Sequence, residues 1–213
     1  MTEEYNTALG NQIFRPETLE AAILSGGDPD STLADKSIGV PLPEELPILP
    51  LRGVVVYPLT AVPLTVGQAR SVQLIDEAVL QKKVIGLVAS KDASIEEPTP
   101  ADCYTIGTAV AVQRLLRLPD GTIRLLVLGL ERIRIKEYTS TEPYLKARVE
   151  SAPELSEKSV EVEALRRNIG SLFGRLVELV PGIPEEVAAV AINIEDPRQL
   201  AYAIATYMRI ELA

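Results

Sequence analysis

The chain contains no histidine, no tryptophan, two phenylalanines and a single cysteine. Each shortage closes off a chemistry. Without histidine there is no Ser-His or Cys-His nucleophile pair, no imidazole general base and no His-containing metal site. One cysteine builds neither an internal disulfide framework nor, from this chain alone, a structural zinc cluster, and it fits a reducing, cytoplasmic setting. No apolar run approaches the roughly 20 residues that span a bilayer, and the start Met1-Thr2-Glu3-Glu4 lacks signal-peptide character, so no membrane partner is expected. The phosphate loop G-x-x-x-x-G-K-S/T and the dinucleotide fingerprint G-x-G-x-x-G are both missing. These absences favour a binding or assembly module over an enzyme, with no catalytic residue, cofactor or metal assigned to this chain.

What is present is an ordinary globular composition: 213 residues, 46% hydrophobic, 24% charged, with 16 prolines and a formal charge of −9. That length suits one large domain or two small ones. An acidic chain is a poor non-specific binder of phosphate backbone. The charge is unevenly placed. Residues 1–46 hold nine acids against only Arg15 and Lys36, which leaves −2 for residues 47–213. With the loop composition of Gly26-Gly27-Asp28-Pro29-Asp30-Ser31, residues 1–43 read as a disordered acidic extension. Within it, Pro16–Leu24 carries helix signals: Pro at a first position, Leu19 and Ile23 on one face, Gly26 beyond.

From Leu46 the texture becomes β-rich. Leu46–Leu51 is apolar but punctuated by Pro47 and Pro50, which predicts an edge strand or extended entry. Short strands are expected at Val54–Tyr57 and Leu64–Val66. A helix follows over Gly67–Lys82, with Val72, Ile75, Ala78 and Val79 on one face. Val84–Val88 reads as a buried strand and Ser90–Pro100 as a surface loop. Two long apolar arms, Ile106 to Leu130, flank Pro119-Asp120-Gly121 and predict a hairpin. Further strands are expected at Ile133–Tyr138 and Tyr144–Val149. About seven strands and one helix over residues 44–152 suggest a compact, partly closed antiparallel barrel.

After Pro153 the period turns helical. Val162, Leu165, Ile169, Leu172, Phe173, Leu176 and Val180 recur at spacings of 3 and 4, and Pro181-Gly182 ends the run. Pro184 and Asp196-Pro197 each open another helix, the second carrying Leu200, Ile204, Tyr207 and Met208. Residues 153–213 thus form a helical subdomain. It stops in mid-pattern at Ala213, which predicts a piece of something longer.

Several motifs now align with one known family. Leu46-Pro-Ile-Leu-Pro-Leu-Arg52-Gly-Val-Val-Val-Tyr-Pro58 and Pro63-Leu-Thr-Val-Gly67 come first. Glu97-Pro-Thr-Pro100 leads to Ile106-Gly107-Thr108, then Arg117-Leu-Pro-Asp-Gly-Thr122 and Gly129-Leu-Glu-Arg132. Asp196-Pro-Arg-Gln-Leu-Ala201 closes the series. In this order the set resembles the amino-terminal region of Lon, the ATP-dependent serine protease. The resemblance implies an α+β fold, a PUA-like barrel followed by a helical subdomain. It also implies a non-catalytic role in capturing unfolded or damaged polypeptide and in homo-oligomer (hexamer) assembly. ATP and Mg are implied only for an ATPase module downstream, which a Ser-Lys peptidase module follows. Position 202 is Tyr where the family often has an acid, so that acid's contact does not carry over. A free-standing LON-domain adaptor or receptor is the alternative reading.

The candidate substrate-binding residues are Leu115, Leu116, Leu118, Leu126 and Leu128 of the hairpin. Strict alternation puts Val110, Val112, Leu116 and Leu118 on one face and Ala109, Ala111, Gln113, Leu115 and Arg117 on the other. In the second arm, Ile123, Leu125 and Val127 alternate with Leu126, Leu128 and Leu130. An outward sheet face should be largely polar, yet both faces hold leucine. Two readings stand: a landing site for unfolded polypeptide, or a face covered by the helical subdomain or a symmetry mate. Arg114, Arg117, Arg124, Arg132 and Arg134 scatter around this hairpin, either as a solvated rim or as a lure for acidic segments. Ser90-Lys91 reads as surface loop rather than a hydrolytic dyad, and Cys103, preceded by Asp102, as a structural thiol. Gly170 and Gly174 share a helix face and predict close packing of a neighbouring helix. RNA binding is disfavoured by the acidic balance and scarce aromatics.

Overall fold

The computed structural model describes residues 42–80, 84–154, 159–180 and 185–207. The expected disorder of residues 1–43 and the helix at Pro16–Leu24 lie outside these residues, save for 42 and 43. So do Pro181-Gly182, Pro184 and Met208. In chain order the elements are β1 (Glu45–Leu51), β2 (Ala61–Val66), α1 (Ala69–Leu80), β3 (Ile85–Ser90), β4 (Cys103–Arg117), β5 (Ile123–Ser140), β6 (Lys146–Ser151), α2 (Val160–Leu179), α3 (Glu185–Asn193) and α4 (Pro197–Tyr207). The class is α+β, a barrel carrying one helix and followed by helices.

The six strands run in the order β2-β5-β4-β3-β1-β6, and β5 also pairs with β6, which closes a five-membered ring. β5 makes this possible by its length. One edge of it bonds β4, and the other is shared between β2 near Ile123–Leu128 and β6 near Ile133–Ser140. The expected separate strand at Ile133–Tyr138 is therefore the second half of β5. All pairings are antiparallel except β1–β3, which is parallel because the chain crosses over through β2 and α1 between them.

β1 is not an edge strand. Its first half pairs β6 (Pro47 opposite Lys146) and its second half pairs β3 (Pro50 opposite Val88). Each half thus has one registered partner, which leaves every proline a side free of ladder bonds. Val54–Tyr57 is not a strand either. Gly53 (φ 67°) and Leu59 (φ 60°) bend the chain at both ends of this short run. Its bonds go elsewhere: the Val56 carbonyl accepts from the buried Thr108 Oγ1 at 2.6 Å.

Two apolar clusters lie on opposite faces of β1 and β3. Ile48, Val88, Ala109 and Ile133 fill the ring. Leu49, Leu87, Val110, Leu125 and Val127 face the other way and are covered by Leu74, Ile75 and Ala78 of α1. A third cluster holds α2, α3 and α4 together through Phe173, Val177, Val187, Ala191 and Leu200. Gly170 is buried where α3 approaches, with Ile192 Cα 3.9 Å from a Cβ built on it, whereas Gly174 meets nothing within 4 Å. Close helix packing is thus served by one of the two glycines.

Among the described residues, β2 pairs with β5 alone. Leu59 N–H donates to the Gly129 carbonyl at 3.0 Å and Gly129 N–H to the Thr60 carbonyl at 2.9 Å. With Ala61 opposite Leu128, that phase turns the Pro63 nitrogen toward the open edge, where no donor is required.

Candidate functional site

The hairpin turn is built by local polar bonds. Leu118 N–H donates to the Thr122 carbonyl at 2.9 Å and Gly121, at φ 83°, donates to the Leu118 carbonyl at 3.0 Å. Asp120 Oδ1 accepts from Thr122 N–H at 2.9 Å and Thr122 Oγ1 at 2.7 Å. These bonds, side chain first, hold the Asp120 carboxyl below the usual carboxylate range. The tip is thereby fixed, and the two arms extend from it in register.

That register contains a bulge. Val112 pairs Val127 and Arg114 pairs Leu126, so Gln113 is the extra residue. Beyond it the faces exchange, and strict alternation fails. Leu115 lies opposite the buried Leu125 and packs with Val112 against the cluster under α1. It therefore does not share the outer face with the other candidates. Leu116, opposite Arg124, turns outward and is 47% exposed. Leu126 and Leu128 are half-buried on the same outer face, beside Pro63 and Ala61 of β2. Leu118 is half-buried at the turn.

The outer face is thus a leucine strip, Leu116–Leu126–Leu128, with cations set into it. Arg114 and Arg124 are exposed and make no ion pair among the described residues, though Arg124 feels the charge of Asp120. The other arginines of the scatter are engaged: Arg117 with Asp76, Arg132 with Glu154 at 3.0 Å, Arg134 with Glu150 at 3.8 Å.

Sequence reasoning missed a second apolar surface. Val54, Val55 and Leu59 are exposed on the loop between β1 and β2. Their signal was the run Gly53 to Pro58, too short between two breakers to sustain a strand. Tyr57 of this loop stacks on Tyr202 of α4, ring centroids 5.1 Å apart and 21° from parallel. The Tyr202 hydroxyl donates to Glu154, whose other oxygen receives Arg132. Position 202 thus has its own contact, and it joins the helices to the barrel.

The remaining candidates are structural. Ser90 is buried and ends β3, its hydroxyl donating to the Asp92 carbonyl at 2.8 Å, while Lys91 Nζ donates to the Ala101 carbonyl at 2.8 Å. The pair points into separate backbone contacts. Cys103 is buried, and that burial pushes its thiol pKa up, away from nucleophilic use. A cleft of about 240 Å³ lies between β1, α1 and β6, lined by Glu45, Glu77, Tyr144 and Lys146. There the Tyr144 hydroxyl donates to Glu77 at 2.6 Å, and burial and then that carboxylate push the tyrosine up to about 12. Among the described residues, no helix is long and apolar enough to cross a membrane.

Barrel, hairpin strip and trailing helices together define an α+β domain, a small β-barrel with an appended helical part, and the comparisons place it further. Residues 45–213 match the family model for the ATP-dependent protease La (LON) substrate-binding domain. The chain belongs to that family. It is 48% identical over 164 residues to a Lon protease of Dictyoglomus thermophilum, covering 77% of this chain and 21% of that protein. It is 41% identical over 176 residues to Lon protease 1 of Herpetosiphon aurantiacus, covering 80% and 22%. The chain thus spans about a fifth of the length of these relatives. Among solved structures, the N-terminal domain of a Mycobacterium avium complex Lon protease shares the fold: TM-score 0.51, 17% identity, covering 77% of this chain and 100% of that one.

Proposed function

We propose that this chain is the polypeptide-recognition module of a Lon-type ATP-dependent protease, and that it captures unfolded segments on the outer face of the hairpin. The observation that carries this reading is Leu116, 47% exposed on a strip continued by Leu126 and Leu128 and flanked by Arg114 and Arg124. Apolar side chains of an extended segment pack on the leucines, and acidic stretches are drawn by the two guanidinium groups. A folded protein keeps its apolar side chains inside and offers this strip little. The captured segment is delivered to ATPase and Ser-Lys peptidase modules outside these residues, where ATP and Mg act. Homo-oligomerisation in the cytoplasm multiplies a weak face. One copy alone binds on the order of tens of micromolar.

Fluorescence anisotropy with reduced, alkylated lactalbumin tests this. Leu116→Asp and Leu126→Asp are expected to weaken binding at least fivefold, with Leu116→Asp shifting stability by only about 0.5 kcal/mol. Leu115→Asp, partly buried against the core, is expected to lower stability more than Leu116→Asp, by about 1–3 kcal/mol. Unchanged affinity in folded Leu116→Asp and Leu126→Asp proteins overturns the proposal.

A further inference from the structure

On the outer face of the hairpin, leucines and arginines alternate across the two strands. Arg114 stands opposite Leu126, and Leu116 opposite Arg124. Arg114, Leu116 and Arg124 are exposed, and neither guanidinium has an ion pair among the described residues. A purely apolar occupant would cover both cations without a partner, at a cost that offsets the leucine contacts. The face therefore favours a segment in which acids and apolar side chains are interleaved.

The chain carries such a segment itself. Residues 17–35 hold five acids, Glu17, Glu20, Asp28, Asp30 and Asp35, and no base. Leu19, Ile23, Leu24 and Leu33 lie among them. The family match begins at residue 45, so this segment lies outside the shared domain. The strand register brings it to the hairpin's end of the barrel. Ile48 of β1 lies beside Gly86 of β3, and Gly86 opposite Ala109 of β4. β1 runs parallel to β3 and β4 antiparallel to it, so the chain enters β1 from the end at which the hairpin projects. Counting back from Ile48 puts Glu45 level with Val112, about 10 Å away across two strand spacings, and Leu116 about 13 Å farther along β4. The ten steps from Asp35 to Glu45 span up to about 33 Å, which covers that path. We propose that residues 17–35 lie on the Leu116–Leu126–Leu128 strip of their own chain as a tethered mimic of client, with acids on Arg114 and Arg124, and that clients must displace them. The inference rests on the strip being the polypeptide-binding face. A tether of this length sets an effective concentration on the order of millimolar, so an occupant weak by itself still competes with a micromolar client.

Leucine-methyl NMR of the whole chain, with a nitroxide on Ser25→Cys, tests the contact. The native Cys103 is buried and does not take the label. The expected result is broadening of the Leu116, Leu126 and Leu128 methyls, which Arg114→Gln with Arg124→Gln removes. Lactalbumin anisotropy tests the competition. Leu19→Ser with Ile23→Ser and Leu24→Ser, which leaves the net charge unchanged, is expected to tighten binding by about threefold or more. Unbroadened strip methyls, broadening centred elsewhere on the fold, or broadening that survives the double arginine variant overturns the proposal. So does broadening passed undiminished to an isotope-labelled copy mixed with a spin-labelled one, which makes the contact one between chains. Unchanged lactalbumin affinity in the triple serine variant overturns it too, while sensitivity of that affinity to Leu116→Asp leaves the strip as the client face. Insensitivity to Leu116→Asp as well removes the strip reading, and this inference with it.

Discussion

A methyl group added at Gly107 would lie 2.3 Å from the Leu87 carbonyl oxygen, whereas one added at Gly174 meets nothing within 4 Å. The same substitution therefore has opposite signs at the two positions. Gly107→Ala forces β4 away from β3 and is expected to cost about 2–3 kcal/mol as overpacking against backbone. Gly174→Ala, in the interior of α2, is expected to gain about 0.5–1 kcal/mol, because alanine loses less chain entropy in a helix. Urea unfolding of the two variants checks both signs. In the sequence the two glycines look alike, since nothing local encodes the distance to a neighbouring strand.

α2 begins with Ser159 accepting from Val162 N–H at 3.1 Å, and its first turn carries Glu163 bonded by Arg166 at 2.9 Å and Arg167 at 2.7 Å. Those two bonds hold Glu163 down at about 2 from an ordinary 4.5. A carboxyl depressed on folding stabilises the folded form fully above its unfolded pKa and loses that contribution as pH falls from about 4.5 to about 2. Asp196, lowered by Arg198, acts in the same direction at the start of α4. The thermal midpoint of the helical part is expected to drop over that window, and Glu163→Gln to flatten the drop. Circular dichroism melts at stepped pH measure this; an equal slope in the variant would contradict it. The helix itself was plain in the sequence from its 3–4 spacing. What periodicity does not say is which of two adjacent apolar faces finds a partner. The hairpin shows the same limit. Its arms and turn were legible, but the bulge at Gln113 is set by pairing with β5 and reverses the assignment of Leu115 and Leu116. The single long β5 was hidden because Gly129–Arg132 interrupts the alternation without ending the strand.

Two clusters stabilise the barrel, while the helices rest on a third whose buried members, among the described residues, are Phe173, Val177, Val187, Ala191 and Leu200. The two parts meet through the Tyr57–Tyr202 stack and the Arg132–Glu154–Tyr202 chain. A small core melts first, and a narrow connection lets it melt separately. Calorimetry is expected to resolve a lower transition for the helices below that of the barrel. Tyr202→Ala should lower the first and leave the second within about 2 °C, as expected for a contact outside the barrel's own core. One merged transition in both proteins would show tighter coupling. The change from strands, which end at Ser151, to helices, which begin at Val160, was readable from the change of hydrophobic period near Pro153. The tyrosine contact was not, because it joins positions far apart in the chain.

β2 is where this sheet could be extended by a stranger. An arriving strand needs alternating donors and acceptors along the open edge, and at Pro63 the donor is missing in the middle of the six-residue strand. On the proposed reading, segments seeking a template for growth into fibres are brought repeatedly beside this edge. The proline withholds that template, so an extended segment lying on the leucine surface is not copied onto the edge beside it.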